Sequence, residues 1–222
     1  MKKKVIFAAL IIVIVLAATG GIVIYRLGIG SNKLAVSALL KNINIAGLNE
    51  SQTQSFNEIK EKLMKDPNDY SGLLELALLE QGLNDYAGAI AIYERLQKVK
   101  SDDVLPLNNL GAIYYNLGDY EKAEQMYLKI LNDITPKWLN SYNELFAIYQ
   151  FHLKDKRATY EAIITRGIEA YPEMKQNLVS KAAVYFDEVM NDKAKALEYY
   201  KQLAELAPDD PAVKVRLSEL KK

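Results

Sequence analysis

Residues 104–135 read VLPLNNLGAIYYNLGDYEKAEQMYLKILNDIT, and residues 70–101 read YSGLLELALLEQGLNDYAGAIAIYERLQKVKS. Laid over each other, they match at Leu73/Leu107, Leu76/Leu110, Ala77/Gly111, Tyr86/Tyr120, Ala89/Ala123, Tyr93/Tyr127 and Leu96/Ile130, each pair 34 residues apart. Within each segment the apolar residues recur at helical spacing, first over about a dozen residues and again after a Gly- or Asn-containing bend. A fixed period of this length built from two helical stretches is the mark of a helical repeat, in which one hairpin cannot bury its apolar face without the next.

The residue types have a packing logic. Gly111 on the first helix and Ala123 on the second are small where the helices would cross, and Leu110, Tyr114, Tyr120 and Tyr127 supply the surrounding area. Ala77, Ala89 and Tyr93 play the same parts in the preceding unit. Gly118, at the bend, adopts a positive φ without strain, and Asn84 serves the same turn less well.

Period, residue types and order resemble the tetratricopeptide repeat (TPR), a helix, a turn and a second antiparallel helix. The resemblance carries motif residues over 70–136 and architecture over 51–222. Two looser units follow, one with Leu145, Tyr149, Ala158 and Pro172, the other with Tyr185, Ala196, Tyr200 and Pro208; each holds an insertion of about two residues. Repeats are expected at about 70–103, 104–136, 137–172 and 173–208, with a capping helix at 211–222 opened by Asp210-Pro211. A leading half repeat is expected to start at a Ser55/Glu58 capping box and to end near Lys65, before Asp66-Pro67. The expected fold class is therefore all-α, a TPR-like α-solenoid at 51–222 preceded by one membrane helix.

That membrane helix is read from Val5 to Tyr25, an uncharged run of 21 residues, which at ~1.5 Å per residue spans ~30 Å of hydrocarbon. A cleaved signal peptide is the competing reading, with Ala17 and Ala18 as cleavage candidates. The apolar run continues past them to Ile24, longer than a signal peptide needs, which favours a retained anchor at 1–26. Lys2, Lys3 and Lys4 before the run, against the sparser Arg26, Lys33 and Lys41 after it, predict a cytoplasmic N-terminus and an extracytoplasmic repeat domain at the plasma (inner) membrane. Ala17 and Gly21 form a small-xxx-small pair, a spacing common by chance in such segments. Residues 27–50 read as a linker.

Composition removes several functions. There is no cysteine, hence no disulfide, thiolate nucleophile or Cys-based zinc site. From residue 51 onward 22 basic residues stand against 27 acidic ones, which argues against nucleic acid as a partner. His152 is the single histidine and has no metal constellation around it. Trp138 and the 15 tyrosines read as inter-helix filler, and Asp102-Asp103 and Asp209-Asp210 as helix caps. No P-loop, GxSxG elbow, HExxH or dinucleotide fingerprint is present. No catalytic, cofactor or metal residue is expected, and the protein is not expected to be an enzyme.

What the resemblance implies is protein or peptide binding on a concave face lined by the first helix of each pair. Carried onto this sequence, that face presents Ser71, Leu74, Leu78 and Gln81, then Leu105, Asn108, Ala112 and Tyr115, then Asn140, Asn143, Ala147 and Gln150. The set is neutral and amide-rich, unlike members that grip a C-terminal carboxylate with Lys or Arg. It points to a neutral or mildly apolar polypeptide, with Asn108 and Asn143 bonding to its backbone. The reading is a membrane-anchored interaction scaffold of the cell envelope, in complex assembly or as an export accessory; the alternatives are a structural or homo-oligomerising module and a regulatory subunit of an enzyme complex.

Overall fold

Asn49 sets the first long helix. Its side-chain oxygen accepts from the Gln52 amide at 2.9 Å while the Gln52 side chain accepts from the Asn49 amide at 3.0 Å, a capping box that satisfies two orphan helix-end donors. The helix it opens, α1, runs Glu50–Lys65. Ser55 and Glu58 therefore lie inside α1 and not at its start, because Asn49 and Gln52 offer the same reciprocal chemistry upstream.

The computed structural model describes residues 36–41, 43 and 45–221, and among these it contains helices and no strand. After α1 come α2 (Tyr70–Gly82), α3 (Tyr86–Val99), α4 (Val104–Asn116), α5 (Tyr120–Lys129), α6 (Leu139–Phe151), α7 (Arg157–Ala170), α8 (Lys175–Val184), α9 (Lys193–Leu206) and α10 (Pro211–Leu220). Wider π-helical turns extend α5 over Ile130–Ile134 and α8 over Tyr185–Val189. The apolar run Val5–Tyr25, with the anchor expected there, lies outside the described residues; among the described residues no helix is long and apolar enough to cross a membrane.

The chain divides into two units, one ending at Ile92 and one beginning at Tyr93. In the first, residues 36–41 are helical. Val36, Leu40 and Ile43 are buried there, so the expected linker 27–50 holds some packed residues, while Ile45, Ala46 and Gly47 are exposed. α1 turns Phe56, Ile59 and Leu63 inward and packs on α2, whose Leu73, Leu76 and Ala77 are buried. An exposed Lys62–Glu75 pair at 2.7 Å joins them. Asp69 caps α2 through the Gly72 amide. Asn84 bends the chain at φ 61° before Ala89 and Ile92 return to the interior.

In the second unit each helix from α4 onward packs on the next in the chain, the nearest-neighbour contact of a repeat stack. The hairpin α4–α5 closes as expected. A Cβ added at Gly111 would lie 2.6 Å from the buried Tyr127 ring, so only glycine lets the two helices approach this far. Ala123 is fully buried opposite, and Gly118 makes the bend at φ 78°. In α8–α9 the same two places hold Ala182 and Ala196, both fully buried.

The hairpin α6–α7 differs. Counted from the helix starts, the place of Gly111 and Ala182 is held by Phe146, and the place of Ala123 and Ala196 by Tyr160. Both are buried. Ala158, read as the small residue of this repeat, is exposed, because the register is carried by the helix start at Arg157 and puts Tyr160 at the crossing. Two large side chains at the crossing hold α6 and α7 apart, and their mutual contact is sparser than that of α4 with α5 or α8 with α9. Aromatic area fills the interior instead. The Tyr160 ring stacks on Tyr185 at 3.7 Å, Phe146 tilts against it at 5.6 Å, and Phe186 stacks on Tyr199. The π turn over Tyr185–Val189 absorbs extra chain length and lets consecutive Tyr185 and Phe186 both point inward.

Adjacent hairpins are tied by buried and half-buried polar contacts. Glu124 on α5, 4% exposed, accepts from the Tyr149 hydroxyl at 2.8 Å and pairs with Lys156. Glu161 on α7 takes Lys195 at 2.6 Å and the Tyr199 hydroxyl at 3.1 Å. Asp187 receives Arg216 through two bonds of 2.6 Å, which fixes α10 over the end of the stack.

Candidate protein-binding face

In the second unit the first helices α4 and α6 carry the residues expected on the binding face, and the structure leaves all of them at least partly accessible. Asn108, Ala112 and Tyr115 on α4 are half-buried, Asn143 on α6 is exposed, and Ala147 and Gln150 are half-buried. In the first unit Leu74 and Gln81 on α2 are half-buried, while Leu78 is 51% exposed. Ser71 donates to Glu75 at 2.8 Å.

These residues do different work. Asn108 Oδ1 accepts from Asn140 Nδ2 at 2.8 Å and from Trp138 Nε1 at 3.3 Å, so it bridges α4 to the start of α6. The Tyr115 hydroxyl lies 3.2 Å from His152 Nε2, and His152 stacks on Tyr120 at 3.6 Å. Asn108 and Tyr115 thus join neighbouring hairpins as well as facing outward. Asn143 and Gln150 have no side-chain hydrogen bond within the described residues, which leaves their amides to an incoming backbone.

Between α6 and α8 the face deepens into a cleft of about 160 Å³ whose base is Phe146 and Tyr160. Gln150, Asn177, Ser180 and Lys181 line its walls. The Lys181 ammonium sits 5.7 Å from the centre of the Phe146 ring, and the Tyr160 hydroxyl donates to the Lys181 carbonyl at 3.2 Å. Burial raises the Tyr160 phenol well above its usual range, so it stays a neutral donor. The two large residues that hold α6 and α7 apart are thus the floor of this cleft.

Asn177 and Lys181 were not among the residues read from the sequence as facing a ligand. The signal for them was present: Ala182 and Ala196 stand 14 residues apart in chain order, as Gly111 and Ala123 nearly do at 12, and would have fixed the register of α8. Among the described residues no group of three His, Cys, Asp or Glu converges.

The family model of the tetratricopeptide repeat matches residues 74–137 and again 180–210. The unmatched stretch between them contains α6 and α7, where the small crossing residues are replaced. No curated protein matches the sequence. Among solved structures, a tetratricopeptide repeat protein from Parabacteroides merdae is 15% identical, with a TM-score of 0.54 over 86% of this chain and 73% of that one. MamA is 20% identical at a TM-score of 0.48, covering 68% of this chain and 80% of its own. YrrB, a TPR protein with an unusual peptide-binding site, is 15% identical at 0.48, covering 73% and 81%. At these identities the first likeness shows the fold. Repeats of this family generally mediate protein–protein interaction, and with two family matches on a stack of antiparallel helix pairs this chain is a tetratricopeptide-repeat protein.

Proposed function

We propose that the protein captures a neutral or mildly apolar polypeptide segment along the first-helix face of its second unit, with the segment's side chain seated in the α6–α8 cleft. The observation that carries this reading is the pair Gln150 and Asn177, amides with no internal hydrogen bond beside an aromatic floor, with the exposed Asn143 two turns before Gln150 on α6. An extended backbone presents alternating donors and acceptors, and a row of amides matches both. The protein performs no chemistry of its own. It acts as a scaffold, held at the plasma membrane by residues 5–25 with its repeats outside the cytoplasm, in assembly of envelope complexes or as an accessory to export. The apolar run and its flanking lysines support that placement.

A photo-crosslinking residue placed at Asn143 in the full chain, in intact cells, is expected to trap one discrete polypeptide, and the double substitution Gln150→Ala/Asn177→Ala is expected to abolish the adduct without lowering Tm. The same probe at the exposed Gln125 of α5 serves as control. Equal trapping at Gln125, or an adduct indifferent to the double substitution, rejects the face. Resistance of the chain to alkaline extraction from membranes tests the anchor, and loss of that resistance on deleting residues 5–25 is the expected result.

A further inference from the structure

A second groove lies elsewhere in the same unit, among the second helices. It has a volume of about 600 Å³ and runs between the end of α3 and α5. Leu107 and Leu110 of α4 close its base, and the half-buried Tyr114 and Met126 offer apolar surface to whatever enters.

Its rim carries four exposed charges, Glu94 and Lys98 on α3, Lys129 and Asp133 on the other wall. On each wall the two are four residues apart, one turn of helix. The 34-residue offset between the walls brings Glu94 level with Lys129 and Lys98 level with Asp133, each to within one residue. Opposite charges therefore stand at matching levels on the two walls. None of the four forms an ion pair with any described residue, so all four exposed charges are available to an occupant of the groove.

We propose that this groove receives a short amphipathic helix from a protein partner, with its apolar stripe on Tyr114 and Met126. The flank toward α3 carries a cation level with Glu94 and then an anion level with Lys98. The flank toward α5 carries the reverse order, an anion opposite Lys129 and then a cation opposite Asp133. The pattern is unchanged when the occupant is turned end for end about the groove normal, since that rotation exchanges the flanks and reverses their order together. The required charge order is therefore a property of the groove whichever way the helix runs. The site is distinct from the first-helix face and does not depend on it.

Two synthetic helical peptides of identical composition test this. Both carry leucines on one face; one has the flank orders just given, and its isomer has both orders reversed. At low salt the full chain is expected to bind the matched peptide about ten-fold tighter than the isomer by fluorescence anisotropy, the scale of several exposed ion pairs. The fourfold exchange Glu94→Lys, Lys98→Glu, Lys129→Asp, Asp133→Lys alters exposed side chains alone and is expected to invert the preference at an unchanged Tm. The Gln150→Ala/Asn177→Ala chain is expected to retain it, which separates this groove from the first-helix face. Equal affinity for the two peptides, binding of neither, a preference that survives the exchange, or self-association of the chain that excludes both peptides overturns the proposal.

Discussion

The hairpins α4–α5 and α6–α7 share a register and a chain direction but solve the crossing problem in opposite ways. In the first, Gly111 and Ala123 let the backbones approach until the Tyr127 ring leaves no room for even a methyl group. In the second, Phe146 and Tyr160 occupy the same two places and the helices stand apart, so the interior is built from stacked rings and the outer edge of the gap becomes a cleft. The lesson is that a repeat can lose its defining small residues without losing its place in the stack, provided neighbours refill the volume. What is lost in close packing is returned as an accessible, aromatic-floored recess on the face where a ligand would lie.

The comparison breaks most visibly at Tyr160. Restoring the family's alanine there is expected to destabilise the chain by about 3–5 kcal/mol, because α6 and α7 are already set apart and the ring's place becomes a cavity. Chemical denaturation reads this, and an unchanged or raised stability contradicts the idea that the large residues are the structural element of this hairpin.

Buried carboxylates sharpen it next. Glu124 joins the two hairpins with Tyr149 and Lys156 as partners. Glu80, in the first unit and 2% exposed, has instead Asp85 nearby, and burial first, then that like charge, pushes its carboxyl up to about 7. A carboxyl whose folded pKa lies above its unfolded one favours the folded state at low pH, and that contribution fades as pH rises from about 4.5 through 7. Glu80→Gln is expected to flatten this slope and raise stability above pH 7 by up to about 3 kcal/mol. Denaturant midpoints across pH 4 to 8, roughly the span of that titration, check it; a slope that persists in the variant assigns the effect to another group.

Gly111→Ala comes third, with an expected loss of about 2 kcal/mol from displacing Tyr127. The caps give the smallest effect. Asp103 and Asp119 cap α4 and α5 through the amides of Leu105 and Lys122, whereas Trp138 and Lys156, at the starts of α6 and α7, provide no side-chain cap. Asp119→Ala is expected to cost about 1 kcal/mol by thermal melting, and replacing Trp138 by Asp to recover a similar amount only if its bond to Asn108 is dispensable.

Much of this architecture was legible in the sequence, and the reason is local. Gly111, Ala123 and the 34-residue spacing each report on contacts within one hairpin or between hairpins one period apart, and Gly118 and Asn84 report on their own backbone angles. The third hairpin was hidden because its evidence is a substitution, large for small, which makes sense only when Tyr185 and Phe186 from the following helix are seen to complete the interior. In the hairpin after it, extra chain length is absorbed by the π turn at Tyr185–Val189, which no periodicity reveals. At the binding face the accessible amides of α6 could be read from helical phase. That Asn108 and Tyr115 are engaged with α6 and His152, and that Asn177 and Lys181 belong beside Gln150, are facts of the stacking between hairpins.

The central claim is that the first helices, and the cleft between α6 and α8 above all, receive the polypeptide. Hydrogen exchange of the full chain with and without the polypeptide trapped at Asn143 tests it most directly. The account predicts slowed exchange confined to α4, α6 and α8, greatest around Gln150 and Asn177, with α5, α7 and α9 unchanged. Protection concentrated on α5, α7 and α9, or spread evenly over both sets, contradicts it.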